Sequence, residues 1–253
     1  MTEPEIQPAA APVPGLSQFQ RIASAFTAPS QTFEDIKRGN KSWWLPFILS
    51  IVFAYALFGA ITMKVGWSQV AENVISMNQK SAERMAQLPA DQRASAVRLT
   101  QYLTEGIFIA SPVMVLLVAA VIAGVMLGTI NFIFGGKASF GAVFAVWFYA
   151  SLPGLIKSIL GTTVLFSGMA PESFNIQNFA PTNVAAFLSI QDVGPAVYRL
   201  ATALDFTTIW YLVLLSIGLS VVAGVKRSAG YIAVFGWWVV ITLLGVGYAA
   251  IAG

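Results

Sequence analysis

The sequence predicts an all-α integral membrane protein. The expected form is a bundle of about five transmembrane helices, N-in/C-out, with an amphipathic helical loop between spans one and two. Three observations carry this. First, of 253 residues 57% are hydrophobic and only 10% charged, against about 25% charged in a soluble domain. Such a chain has too little polar surface to coat a water-soluble globule. Second, no charged side chain occurs in Ser42–Met63, Gly106–Gly136, Ala138–Ile156, Phe206–Val225 or Ser228–Gly253, and a spanning helix needs roughly 20 mostly apolar residues. Third, "VMVLLVAAVIAGVML" (Val113–Leu127) lacks the apolar–polar alternation of a membrane barrel. Closed helices are the remaining way to satisfy the backbone in lipid.

The elements follow in order. Residues 1–18, "MTEPEIQPAAAPVPGLSQ", read as a disordered Pro/Ala-rich tail without the basic and apolar regions of a secretory leader. Residues 19–41 read as a cytosolic amphipathic juxtamembrane segment. Phe19, Ile22, Ala23 and Phe26 share a helical face, Pro29 breaks that helix, and Thr32 with Asp35 offers a capping-box variant for a second one. Residues 42–253 form the membrane domain. Span one is about Trp43–Met63, led by Trp43 and Trp44 at headgroup level. An extramembrane loop, 64–105, carries two amphipathic helices or one broken helix. Span two is about Phe108–Phe134, and Gly135-Gly136-Lys137 turns the chain. Span three is about Phe140–Phe166, with a kink or break expected at Pro153-Gly154. The mixed segment 167–204 reads as interfacial or re-entrant. Spans four and five are about Phe206–Val225 and Tyr231–Ile251, joined by Lys226-Arg227.

Orientation is read from bases near span ends. Arg21, Lys37, Arg38, Lys41, Lys137, Lys226 and Arg227 fall on one side, and the short turns at 135–137 and 226–227 are both there. That side is expected to be the cytosol. The net charge of +3 is too small to argue for nucleic acid.

The order of "FTAPSQTFEDIKRG", "WWLPF", a polar loop, "YASLPGLI" and "LDFTTIWYLVLLSIGLSVVAG" resembles the Yip family of five-span membrane proteins. These are Ypt/Rab-GTPase-interacting proteins and their prokaryotic relatives. The resemblance covers roughly Phe26–Ala250 and is carried by Phe26–Ile36, Tyr149–Leu155 and Leu204–Gly218. It implies five spans and a cytosolic N-terminus. An Asp-Leu-Tyr-Gly-Pro type motif of the eukaryotic members is missing. The chain therefore resembles the bacterial branch, which would lack a Rab partner, and a bacterial inner membrane is the expected location.

Candidate sites are few. Phe26, Pro29, Phe33 and Ile36 would make a small apolar face that either lies on headgroups or receives a protein partner. Lys157 is the one charge between Ala138 and Ala170. It either snorkels or pairs, with Asp205 or Glu172 as counter-ion, or it lines a polar intramembrane site used in transport or lipid recognition. Asp205 also reads as an N-terminal helix residue beside Thr207 and Thr208, and Glu105 reads the same way before span two. Ala120, Gly124 and Gly128, and again Ser216, Ser220 and Gly224, form small-xxx-small ladders for close helix packing, within the bundle or in a homo-oligomer. Asn131 reads as an interhelical hydrogen-bonding residue.

With no His and no Cys, there is no Ser-His triad, zinc motif or thiolate nucleophile. Lys157 with Ser151 or Ser158 is the remaining nucleophile–base pairing. No cofactor is expected. The expected role is therefore non-enzymatic: membrane organisation or partner recruitment through the N-terminal segment. The alternative is a small transporter, channel or lipid-translocating protein built on Lys157.

Overall fold

A computed structural model describes residues 14–252; residues 1–13 of the expected tail lie outside the described residues. Among the described residues the secondary structure is helical, and five helices are long and apolar enough to cross a membrane: Trp44–Lys64, Ser111–Ile133, Phe140–Phe166, Phe206–Ala223 and Arg227–Ile251.

The chain opens with a helical hairpin, α1 (Gln18–Thr27) and α2 (Pro29–Lys37). A capping box starts α1. The Gln20 N–H donates to Ser17 Oγ and the Ser17 N–H donates to Gln20 Oε1, satisfying two free donors of the first turn. Pro29 starts α2 rather than merely ending α1, because a missing N–H costs nothing at a helix N-terminus. Thr32 and Asp35 are consequently inside α2, and the capping-box reading at those positions is corrected. Thr32 Oγ1 donates to the Arg21 carbonyl at 2.9 Å, and Asp35 accepts from the Leu16 N–H and Asn40 Nδ2.

This hairpin packs onto the spanning helices. Ala25, Phe33 and Ile36 are fully buried in one core with α8 (Phe140–Ala150) and α11 (Phe206–Ala223). The Phe33 ring occupies the space that a side chain at Gly218 would need; a Cβ there would sit 2.9 Å from it. Phe26 meets Trp210 edge-on with ring centroids 5.5 Å apart. The expected exposed face of Phe26, Pro29, Phe33 and Ile36 is thus corrected. Its two strongest members are spent on packing, because α11 offers a glycine-lined groove that excludes lipid.

Arg21, one of the bases expected on the cytosolic side, is completely buried, with its Nε 3.4 Å from Asp35 Oδ2. Its Nη2 donates to the Asn40 carbonyl at 2.8 Å, and its guanidinium lies 4.5 Å from the Tyr149 ring centroid. Tyr149 in turn donates to Gln18 Oε1 at 2.8 Å. Burial pulls the Arg21 pKa below its ordinary value, while Tyr149 and Asp35 hold it up. A buried cation needs such pairing and hydrogen bonding.

Helix α11 is the central element. It packs against α2, α8, α9 (Pro153–Phe166) and α12 (Arg227–Ala252), and Leu212, Leu215, Ser216, Leu219 and Ser220 are all buried. A helix apolar all round is expected at such a centre. By contrast α12 buries Ala233 and Val234 and leaves Ile241, Leu243 and Leu244 outward, where lipid is the natural solvent.

Span three is two helices. The break falls at Ser151-Leu152, as Pro153 has no N–H for the ladder and its ring clashes with the preceding turn. After α7 (Ser111–Gly128) a π-helical turn, Thr129–Ile133, completes span two. Asn131 there bonds both ways with Ala138: Nδ2 donates to its carbonyl and Oδ1 accepts its N–H, each at 3.0 Å. Asn131 therefore fixes the turn into α8.

Within the bundle the small-residue ladder of span two is not the packed face. The buried positions of α7 are Ala119, Ala123 and Met126, whereas Ala120 and Gly128 are half-buried and Gly124 is exposed. A Cβ at Gly124 or Gly128 would meet nothing within 4 Å. In span four Ser216 and Ser220 are buried and touch the Cα of Gly230 on α12, where a Cβ would collide with the Ser216 carbonyl and Ser220 Oγ. Gly224 serves a different purpose: at φ 69° it ends α11 in the left-handed region, which glycine adopts without strain.

The loop after α3 (Trp44–Lys64) folds as three helices rather than two: α4 (Trp67–Ser76), α5 (Gln79–Gln87) and α6 (Ala90–Ile109). Trp67 and Val70 join Leu57, Ile61, Leu165 and Phe174 in a second core. Asn73 ties it to the later loop, donating to the Pro171 and Phe174 carbonyls at 2.8 and 2.9 Å. Segment 167–204 contains two short 3₁₀ turns and α10 (Ile190–Ala203), which bends at Gly194 (φ 77°).

Candidate functional site: a polar vestibule around Lys157 and Asp205

Asp205 sits immediately before α11 and is 1% exposed. The local sequence Asp-Phe-Thr-Thr makes it the N-cap. Its Oδ1 accepts from the N–H groups of Thr207 (2.9 Å) and Thr208 (3.0 Å) and from the Thr207 hydroxyl. Its Oδ2 accepts from Thr182 Oγ1 at 2.6 Å, from Asn183 Nδ2 at 3.4 Å and from Lys157 Nζ at 3.0 Å. Thr182 arrives on loop 167–204, where its carbonyl also accepts the Phe206 N–H at 3.0 Å. Burial pushes the Asp205 pKa up, but the hydrogen bonds from Thr182, Thr207, Lys157 and Thr208 outweigh it and hold the carboxyl below the usual carboxylate range.

Of the two counter-ions left open for Lys157, the structure uses Asp205. The ammonium also lies 5.6 Å from the Phe179 ring centroid, and Phe179 packs on the bare backbone of Gly161. Ser151 Oγ donates to the Trp147 carbonyl at 2.7 Å. Lys157 and Ser151 are therefore each committed to another partner and do not form a hydrogen-bonded dyad.

Lys157 lines a cavity of about 270 Å³ together with Gln177, Asn178, Asn183, Arg199 and Thr242. A larger cavity of about 940 Å³ adjoins it, bounded by α4–α5, α10 and the end of α12. The two share Gln177, Asn178, Arg199 and Thr202, so they adjoin at a polar wall and flank it as one vestibule. Asn178 organises the shared wall: Oδ1 accepts from Asn183 Nδ2 at 2.6 Å and Nδ2 donates to Tyr198 Oη at 3.3 Å.

The vestibule lining reaches inward to Thr208 and Trp238. Eight residues further along α11, about 12 Å at 1.5 Å per residue, Ser216 and Ser220 press on Gly230 and leave no space between the helices.

Arg199, Gln177, Asn178, Tyr198, Thr182 and Asn183 were missed from sequence. A signal existed: "NIQNFAPTN" (Asn175–Asn183) is dense in amides, and Arg199 is the only Lys or Arg from Ser158 to Val225. Nothing in the pattern put those two features beside Lys157, which is 42 residues from Arg199 in sequence.

No curated protein and no solved structure matches the chain. The Yip1 domain profile matches residues 23–249, from the buried hairpin to the end of α12. The five-span helical bundle closed by its own N-terminal hairpin is accordingly that of a protein that belongs to the Yip1 domain family.

Proposed function

We propose that the protein is a non-enzymatic membrane organiser that works by binding a polar ligand in the vestibule, rather than by conducting one across the bilayer. The observation that carries this reading is the tight α11–α12 seam. The cavity beside Lys157 is lined inward as far as Thr208 and Trp238, and beyond them the Ser216–Ser220–Gly230 contact leaves no space between α11 and α12. Recruitment of a protein through Phe26, Pro29, Phe33 and Ile36 loses its support, since Phe33 and Ile36 are fully buried. The hairpin face still open carries Phe19, 78% exposed, and a partner at this end would have to use it.

The cytosolic side is proposed to be the hairpin end. Lys41 lies against Gly141, the Lys137 N–H donates to the Ala223 carbonyl, and Arg227 Nη2 donates to Ser30 Oγ. The bases at the turns are thereby gathered at one end, as the positive-inside rule requires of the cytosolic face. A bacterial inner membrane fits the absence of the eukaryotic motif.

The chain has no native Cys, so introduced thiols report alone. Thr242→Cys should react with a membrane-impermeant maleimide only from the side opposite the hairpin, and Val234→Cys from neither side. Proteoliposomes should leak no faster than protein-free vesicles. Solute flux above that background, or labelling of Thr242→Cys from both sides, would overturn the binding reading in favour of transport.

A further inference from the structure

We infer that the vestibule binds a phosphodiester carrying one net negative charge, an anionic lipid headgroup being the source that fits best. The inference rests on the vestibule reading above and adds the chemical class of the ligand.

The residues lining the two cavities include Lys157 and Arg199 and no Asp or Glu. Asp205 cancels Lys157. Arg199 has no carboxylate within 4.0 Å and no acceptor for its guanidinium among the described residues. One positive charge is therefore left over. The Arg199 guanidinium is laid across the bare backbone of Gly245, where a Cβ would sit 3.1 Å from Nε. Arg199 is exposed and lines both cavities, and a planar guanidinium there is suited to two oxyanion oxygens.

Other donors converge on the same space. Tyr198 Oη accepts from Asn175 and Asn178, which leaves its own proton to donate. The side chain of Gln177, shared by both cavities, is free to read a hydroxyl. The larger cavity, about 940 Å³, has ample room for a polar headgroup. Its rim at Gly245, Tyr248 and Ala249 belongs to α12, whose neighbouring Leu243, Leu244 and Ile251 point outward. Acyl chains of a lipid would lie along that apolar face while the headgroup entered. A zwitterionic headgroup is a poorer match, since no carboxylate on the lining meets its cation.

The test uses the full chain in nanodiscs of phosphatidylcholine alone or mixed four to one with phosphatidylglycerol, with lipid retention read by native mass spectrometry. Wild type should retain phosphatidylglycerol well above its bulk share, and Arg199→Gln should cut that preference about tenfold, the worth of a charge-assisted hydrogen bond. Arg98→Gln, exposed on α6 away from the cavities, should keep it. Soluble glycerophosphoglycerol should compete if the headgroup alone suffices. If it does not compete while phosphatidylglycerol is still preferred, the source is the intact lipid. Should Arg199→Gln fail to fold by circular dichroism, Gly245→Leu fills the guanidinium's bed and should lose the preference instead. Retention at the bulk ratio in wild type, or unchanged retention in a folded Arg199→Gln or Gly245→Leu, overturns the inference. Labelling of Thr242→Cys separates the two failures. An unreactive thiol sinks the vestibule itself, whereas a reactive thiol without lipid preference sinks only the ligand class.

Discussion

Asp205→Ala tests the polar site most directly. Two losses combine. Asp205 caps α11 through Thr207 and Thr208, and removing a cap costs about 1 kcal/mol. Its carboxylate is also the partner of Lys157. Breaking a fully buried pair costs about 3–5 kcal/mol, but the Lys157 side chain keeps a quarter of its surface exposed and reaches water in the cavity, so about 2 kcal/mol is the fairer share. The sum, about 3 kcal/mol, corresponds to a fall of roughly 6–12 °C in Tm for a chain of this size. Asp205→Asn keeps the cap and should fall about two-thirds as far. The assay is thermal unfolding in detergent followed by circular dichroism, across a pH series. The Asp205 carboxyl titrates below its unfolded value of about 3.9 when folded. Its stabilisation is therefore present above about pH 4 and is lost as pH falls toward the folded pKa. The gap between wild type and Asp205→Asn should close on acidification. Equal Tm for wild type and Asp205→Ala at pH 7, or a gap independent of pH, would refute the reasoning.

Two further predictions concern the hairpin. Arg21→Ala should destabilise by about 3–5 kcal/mol, because Asp35 stays buried without its cation, whereas the double variant Arg21→Met with Asp35→Leu should lie much closer to wild type; equilibrium denaturation of the three proteins decides. Gly218→Leu should displace Phe33 at a cost of about 1–3 kcal/mol and expose residues 18–37 to protease, while Gly124→Leu, facing open space, should leave both stability and cleavage unchanged.

The sequence by itself determined the class and the spans. Charge-free runs of spanning length need no partner to be recognised, because transfer into lipid is set residue by residue. It also placed a kink or break at Pro153-Gly154 and Asp205 at the N-terminus of span four, both consequences of local backbone chemistry. It did not determine which side of a helix packs. Every face of a span is apolar, and lipid is as apolar as a neighbouring helix. Ala120-Gly124-Gly128 and Ala119-Ala123-Met126 therefore read alike, and only contact separates them.

The same ambiguity hid the hairpin. Phe33 and Ile36 would suit a headgroup layer or a protein groove equally well, and the groove at Gly218 exists only once α8 and α11 are packed. The pairing of Lys157 with Asp205 across 48 residues, and the unpaired Arg199 beside it, were likewise decided by tertiary structure. Charge balance in a cavity depends on which loops close over it, and periodicity carries no information about that.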